Sequence, residues 1–148
     1  DVKASQLMAV AELSKRISTL KIEKIKISSP SDAAVLLMEE MRYYKKEYFK
    51  IILLDTKNNI KKVCEISVGS LNSSIVHPRE VFSEAVVNSA SSIILVHNHP
   101  SGESEPSHED IVLTNRLDEC GKILGIKVLD HIVIGDGVFY SFKEEGLL

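Results

Sequence analysis

The run Ile93-Ile94-Leu95-Val96, framed by Ser91-Ser92 and His97-Asn98-His99, narrows the possible folds more than any other stretch. Side chains of a strand alternate between two faces, so four consecutive apolar residues need a covering layer on each side. A strand of this kind, Ser92 to His97, belongs inside a sheet with helices packed on both faces, which is the α/β class. The rest of the chain supplies both partners. Leu7, Val10, Ala11, Leu13 and Ile17 fall mostly at helical spacing and predict a short amphipathic helix ahead of a basic stretch from Lys21 to Lys26. Ser28-Ser29-Pro30 reads as a loop, with Ser31 as N-cap of a helix through Ala34, Leu37, Met38 and Met41. Tyr48 to Leu54 is an apolar strand broken only by Lys50. Lys57-Asn58-Asn59 turns it into a second strand from Ile60 to Val68, and a short segment at Ser74 to Val76 predicts a third.

Pro78 suits the first turn of a helix carrying Val81, Phe82, Ala85 and Val86. A further helix with Ile111, Thr114, Leu117 and Cys120 is expected to stop at Gly121. Ile126 to Ile134 and Val138 to Phe142 then read as a closing hairpin around Gly135-Asp136-Gly137. The expected architecture is a single mixed sheet flanked by helices.

At 148 residues the chain has the length of one ordinary domain, and 44% hydrophobic residues provide enough material for a core. Apolar runs such as Ile51 to Leu54 and Ile93 to Val96 fall far short of the roughly 20 residues that span a bilayer. No signal peptide is read, and Cys64 and Cys120 fit free thiols in a reducing compartment, so a cytoplasmic location without membrane association is expected. A net charge of −3 lacks the signature of a nucleic-acid binder. The charge is uneven, with six Lys/Arg against three acids in residues 1–27. Residues 1–27 are therefore expected to be the end of a preceding region plus a linker, and residues 28–148 the domain proper. The start at Asp1, inside a helical pattern, suggests a piece of a longer protein.

The chemistry is concentrated in His97-Asn98-His99-Pro100-Ser101-Gly102-Glu103-Ser104-Glu105-Pro106-Ser107-His108-Glu109-Asp110. His97 and His99 leave the buried strand with period two, which points both imidazoles to one side. Ser107 is the natural N-cap of the next helix, and this puts Asp110 in its first turn, facing back over the loop. Two imidazoles and a carboxylate leave a fourth position for water on a tetrahedral zinc, the ligand count of a catalytic site rather than a structural one. Each part alone has an ordinary reading: paired histidines are common on surfaces and in cores, and Ser-x-x-Asp is a capping box variant. A polar His-rich loop directly after a buried strand is, however, where open α/β sheets place their sites. Rival metal motifs are missing. There is no H-x-E with P-C-x-x-C of a zinc deaminase, no H-E-x-x-H, and Ser101 stands where an H-x-H-x-D-H hydrolase needs aspartate.

The remaining pattern, H-x-H-x7-S-x2-D at His97, His99, Ser107 and Asp110, resembles the JAMM metallopeptidase motif. His77-Pro78-Arg79-Glu80, His97 to Gly102, Pro106-Ser107 and Asp130-His131-Ile132-Val133-Ile134-Gly135 are similar to one bacterial branch, the RadC family, long labelled DNA-repair proteins. The resemblance covers about residues 30 to 148. It implies a JAB/MPN-like fold, a three-layer sandwich of the cytidine-deaminase-like kind. It also likens the N-terminal helix up to Arg16 to the tail of the helix-hairpin-helix region that precedes this domain. One departure stands out: the JAMM pattern usually has Ser or Thr between the histidines, where this chain, like RadC, has Asn98.

The resemblance further implies one zinc per chain on His97, His99 and Asp110, and a glutamate base at the entrance to the first strand. Glu47 fits that place, with Glu39 and Glu40 as alternatives. In the implied mechanism the metal lowers the pKa of a water toward roughly 7, Glu47 moves its proton to the leaving amine, and Ser107 donates to the oxyanion. Asp130, His131 and Ser101 are candidates to support the ligands. His77 and His108 are expected to be structural or exposed, and Cys120 to belong to the core. The expected activity is zinc-dependent hydrolysis of a peptide or protein substrate. The competing expectation is a non-catalytic DNA-repair or recombination accessory module, with DNA contact through the preceding region.

Overall fold

The structure is a computed structural model and describes residues 5–14, 25–69 and 76–148. After helix α1, described over 5–14, the chain runs α2 (Pro30–Met41), β1 (Tyr48–Leu54), β2 (Ile60–Val68), α3 (Pro78–Val87), β3 (Ser92–Asn98), α4 (His108–Leu124), β4 (Lys127–Ile134) and β5 (Phe139–Ser141). The strands form one mixed sheet in the order β2-β1-β3-β4-β5. Only the β3–β4 pair is parallel, joined through α4; the β1–β2, β1–β3 and β4–β5 pairs are antiparallel.

Every residue of β3 is buried, as its apolar run requires. Strand alternation sorts its side chains into two cores. Ile93 and Leu95 join Phe49, Ile51 and Leu53 of β1 against α3 and α4. Ile94 and Val96 join Ile52, Leu54, Ile132 and Ile134 against α2. This is the three-layer α/β arrangement, with His97 on the α3/α4 face and Asn98 on the α2 face.

Local details correct two expectations. The N-cap of α2 is Ser29, not Ser31, because Pro30 is well suited to the first helical position and Ser29 and Asp32 complete a capping box. Helix α4 does not stop at Gly121 but runs to Leu124, ending at Gly125 in the left-handed conformation, φ 71°. Gly121 serves instead as the bare position where the Ile126 carbonyl closes on the helix. The third strand expected at Ser74 to Val76 lies outside the described residues apart from Val76, which is a buried core residue in a bend. In α1, Leu7, Met8, Val10 and Leu13 are all exposed. Ile17 and the basic stretch as far as residue 24 lie outside the described residues. Among the described residues no helix is long and apolar enough to cross a membrane.

Candidate metal centre

β3 ends by delivering His97 and His99 to one side, and the loop that follows returns through the Ser107 cap of α4. Ser107 and Asp110 form a capping box in which Asp110 Oδ2 accepts from the Ser107 amide and hydroxyl, each at 2.7 Å. That local bond fixes the carboxylate over the strand end. Asp110 Oδ1 lies 3.3 Å from His97 Nε2, Asp110 Oδ2 lies 3.4 Å from His99 Nε2, and the two Nε2 atoms are 3.0 Å apart. One ligand atom from each of the three residues falls within 4.8 Å of the others, as a single ion requires.

The donor set fits a divalent metal. The His99 ring is anchored by Nδ1–H donating to the Glu103 carbonyl at 3.0 Å, and a carbonyl only accepts, so Nε2 keeps its lone pair toward the cluster. Two imidazoles and one carboxylate in a compact group suit zinc and its neighbours. Burial pushes the His97 imidazole below its ordinary pKa, against the opposing pull of Asp110. His99 is raised, mainly by its contact with Asp110. For Asp110, burial alone would raise the pKa, but the two imidazoles and Ser107 hold it far below the usual carboxylate range. His97 and Asp110 are shut away from solvent, while the His99 side chain is 15% exposed. The cluster therefore opens on the His99 side.

Glu47 precedes β1, whose Phe49 pairs with His97, and its carboxylate favours the protonated form of both His97 and His99. Glu47 therefore stands two residues from the β1 position that faces His97. The alternatives are engaged elsewhere. Glu40 receives the buried Lys50 ammonium at 2.7 Å and the Tyr44 hydroxyl, and Glu39 pairs with Arg42 at 3.4 Å. Ser107 is exposed at the mouth of the site, its hydroxyl given to Asp110. His77 and His108 are exposed, and Cys120 packs against the α3/α4 core.

Of the three supporting candidates, only His131 touches a ligand, through His97 Nδ1 at 2.7 Å. Asp130, one residue earlier, points to the opposite face by strand alternation. It holds the β4–β5 region together through Ser141 Oγ at 2.6 Å and the Lys143 amide at 3.0 Å. The Ser101 hydroxyl accepts from the Glu103 amide at 3.3 Å, within its own loop.

The reading of single residues missed Asn98 as a structural clamp. Its Oδ1 accepts from Tyr48 N–H at 2.8 Å and its Nδ2 donates to the Lys46 carbonyl at 3.1 Å, so both ends of one buried amide grip the backbone on either side of Glu47. A polar residue where β3 should bury an apolar one was the available signal. Asn98→Ala leaves a donor and an acceptor without their partner, and we expect it to lower stability by about 2 kcal/mol. The check is a lower urea midpoint at unchanged m-value, with metal binding retained because no ligand is touched.

A mixed sheet with His-x-His leaving a central strand, and an aspartate in the first turn of the helix that follows, defines a JAB-type domain with a JAMM-related ligand set. Family comparison agrees: the model described as a RadC-like JAB domain matches residues 27–147. The chain belongs to this RadC-like JAB family. It is 56% identical over its whole length to a UPF0758 protein of Clostridium tetani (strain Massachusetts / E88), covering 65% of that protein. It is 60% identical over 99% of its length to a UPF0758 protein of Alkaliphilus metalliredigens (strain QYMF), covering 63% of it. A UPF0758 protein of Caldanaerobacter subterraneus subsp. tengcongensis is 57% identical over 97% of the chain, which covers 62% of that relative. The chain thus spans less than two-thirds of the length of these relatives.

Proposed function

We propose that the domain is a zinc-dependent hydrolase of the JAMM type that cleaves an amide bond in a peptide or protein. The observation that carries this reading is the meeting of His97, His99 and Asp110 around one ion-sized position. A bound zinc supplies Lewis acidity and makes a coordinated water more acidic. The chain's own groups do the rest. Glu47 takes a proton as the water oxygen bonds to the amide carbon, and returns it to the nitrogen as the C–N bond breaks. Ser107 turns its hydroxyl from Asp110 to the oxygen that gains charge, a contact worth about 3 kcal/mol where such donors are removed elsewhere. Substrate enters on the His99 side. Contact with DNA, in this reading, belongs to the part of the full-length protein outside the domain.

Elemental analysis of the purified chain beside His97→Ala tests the reading. About one zinc per chain is expected, lost in the variant because a three-ligand site cannot spare one of two imidazoles. Absence of metal after zinc is added back and dialysed would refute hydrolysis and favour a non-catalytic accessory role in DNA repair or recombination.

A further inference from the structure

The ligand His97 is held from behind by a chain of hydrogen bonds that has only one possible direction. Thr114 Oγ1 lies 2.6 Å from the Asp110 carbonyl oxygen, one helical turn back in α4. A carbonyl can only accept, so the single hydroxyl proton of Thr114 is used there. Thr114 Oγ1 is also 2.6 Å from His131 Nδ1, and with its proton spent it must accept from Nδ1–H. A neutral imidazole carries one N–H, which leaves His131 Nε2 as a lone pair. That atom is 2.7 Å from His97 Nδ1, so His97 Nδ1–H donates and His97 Nε2 is left bare.

We propose that Thr114 and His131 are positioning residues of the metal centre: their one-way relay holds His97 in the tautomer that presents the Nε2 lone pair to the ion. The proposal rests on the reading of the cluster as a metal site. It explains a contact that is otherwise unfavourable. His97 Nε2 and His99 Nε2 are both acceptors, each ring having its N–H committed on the far side, yet they stand 3.0 Å apart beside a carboxylate. A cation shared at this point, a metal ion or a proton on one Nε2, makes that arrangement attractive.

The relay has two further consequences. It closes on itself: one end is the ligand His97 and the other is the backbone of the ligand Asp110, so strand β3 and helix α4 are locked at the spacing the ion needs. It is also uncharged. Histidine ligands commonly donate to a carboxylate, which makes them more basic. Here the partner is an imidazole, buried between the rings of Phe49 (5.6 Å) and Phe142 (4.8 Å). The site therefore carries only the Asp110 charge from its ligands, and a bound divalent ion retains net positive charge for a substrate carbonyl oxygen.

Two measurements test this on the whole chain. In metal-free, histidine-labelled protein, long-range 1H–15N correlation at neutral pH should show His97 and His131 both as Nδ1–H tautomers, the reverse of the form imidazoles prefer in water. Zinc affinity, from competition with a chromophoric chelator, should fall roughly 10- to 100-fold in Thr114→Val. That variant frees His131 to carry its proton on Nε2, so that His97 takes up Nε2–H and loses its ligand lone pair; the tautomer signals should switch accordingly. Thr114→Ser keeps the hydroxyl and should bind zinc as the unaltered chain does. An Nε2–H signal for His97 in the unaltered chain, or a folded Thr114→Val with undiminished zinc affinity, would overturn the relay while leaving the metal centre standing. Failure of the unaltered chain to bind zinc would overturn the metal reading itself, and the relay's role with it.

Discussion

Glu47→Gln should keep its zinc and lose hydrolysis by a factor of about 10² to 10⁴, the usual loss when a positioned acid–base group is removed. The substitution is nearly isosteric, and Glu47 is not among the three residues that gather around the ion position, so metal content is the control that separates loss of a base from loss of the site. Its backbone holds independently of the carboxylate. The Glu47 carbonyl accepts from the Gly69 amide at 2.9 Å, and Asn98 grips the neighbouring residues. The amide therefore stands where the carboxylate stood but cannot accept a proton. The measurement is turnover of peptide or isopeptide substrates found by library screening on the unaltered chain, with zinc determined on the same samples. Unchanged turnover in a zinc-loaded variant would remove Glu47 from the reaction. Glu40 is a poor replacement, since its pairing with Lys50 and Tyr44 across β1 commits it to holding α2 on the sheet.

Gly135→Ala should be the most damaging change outside the ligands. Gly135 follows β4, and a Cβ there would overlap the Gly102 carbonyl oxygen and press on Val138 Cγ2. Gly102 lies in the loop between His99 and Ser107. Its amide donates to the His99 carbonyl at 3.0 Å and its carbonyl accepts from the Asp136 amide at 2.8 Å. Asp136 in turn meets Arg42 at the end of α2, at 2.6 Å. One methyl group wedged into this seam meets the Gly102 backbone most closely, which cannot swing aside as a side chain can, and it pushes on the loop that follows His99. We expect a loss of about 3 kcal/mol, the upper range for overpacking, together with much weaker zinc binding. Gly125→Ala is the control. It places a side chain at φ 71°, with nothing within 4 Å of the new Cβ, so it should cost about 1 kcal/mol and leave zinc affinity unchanged. Equal behaviour of the two variants in the zinc titration would show that the seam does not shape the site.

Much of this was legible in the sequence because it is local. The run Ile93 to Val96 calls for two covering layers wherever it is placed. His97 and His99 share a side because strands have period two, and Ser107 and Asp110 find each other because a capping box spans three residues. These short-range rules were sufficient for the fold class and for the gathering of His97, His99 and Asp110 at one place. Where local rules compete, the reading slipped: two serines flank Pro30, and the preference of proline for the first helical position selects Ser29; two glycines stand near the end of α4, and only Gly125 takes the left-handed conformation.

The tertiary structure decided what surrounds the ligands. Setting β3 between β1 and β4 puts Phe49, two residues after Glu47, beside His97 on one side and His131 against it on the other, though Glu47 and His131 stand 50 and 34 positions from His97 in the chain. Thr114 reads in sequence as one more residue on the buried face of α4, and Gly135 as one more hairpin glycine. Their roles arise from packing against residues far away in the chain. Periodicity records which face of an element is buried and not which neighbour covers it; the neighbour is chosen when the whole sheet closes its two cores, and only then do the groups that orient the ligands come within hydrogen-bonding reach.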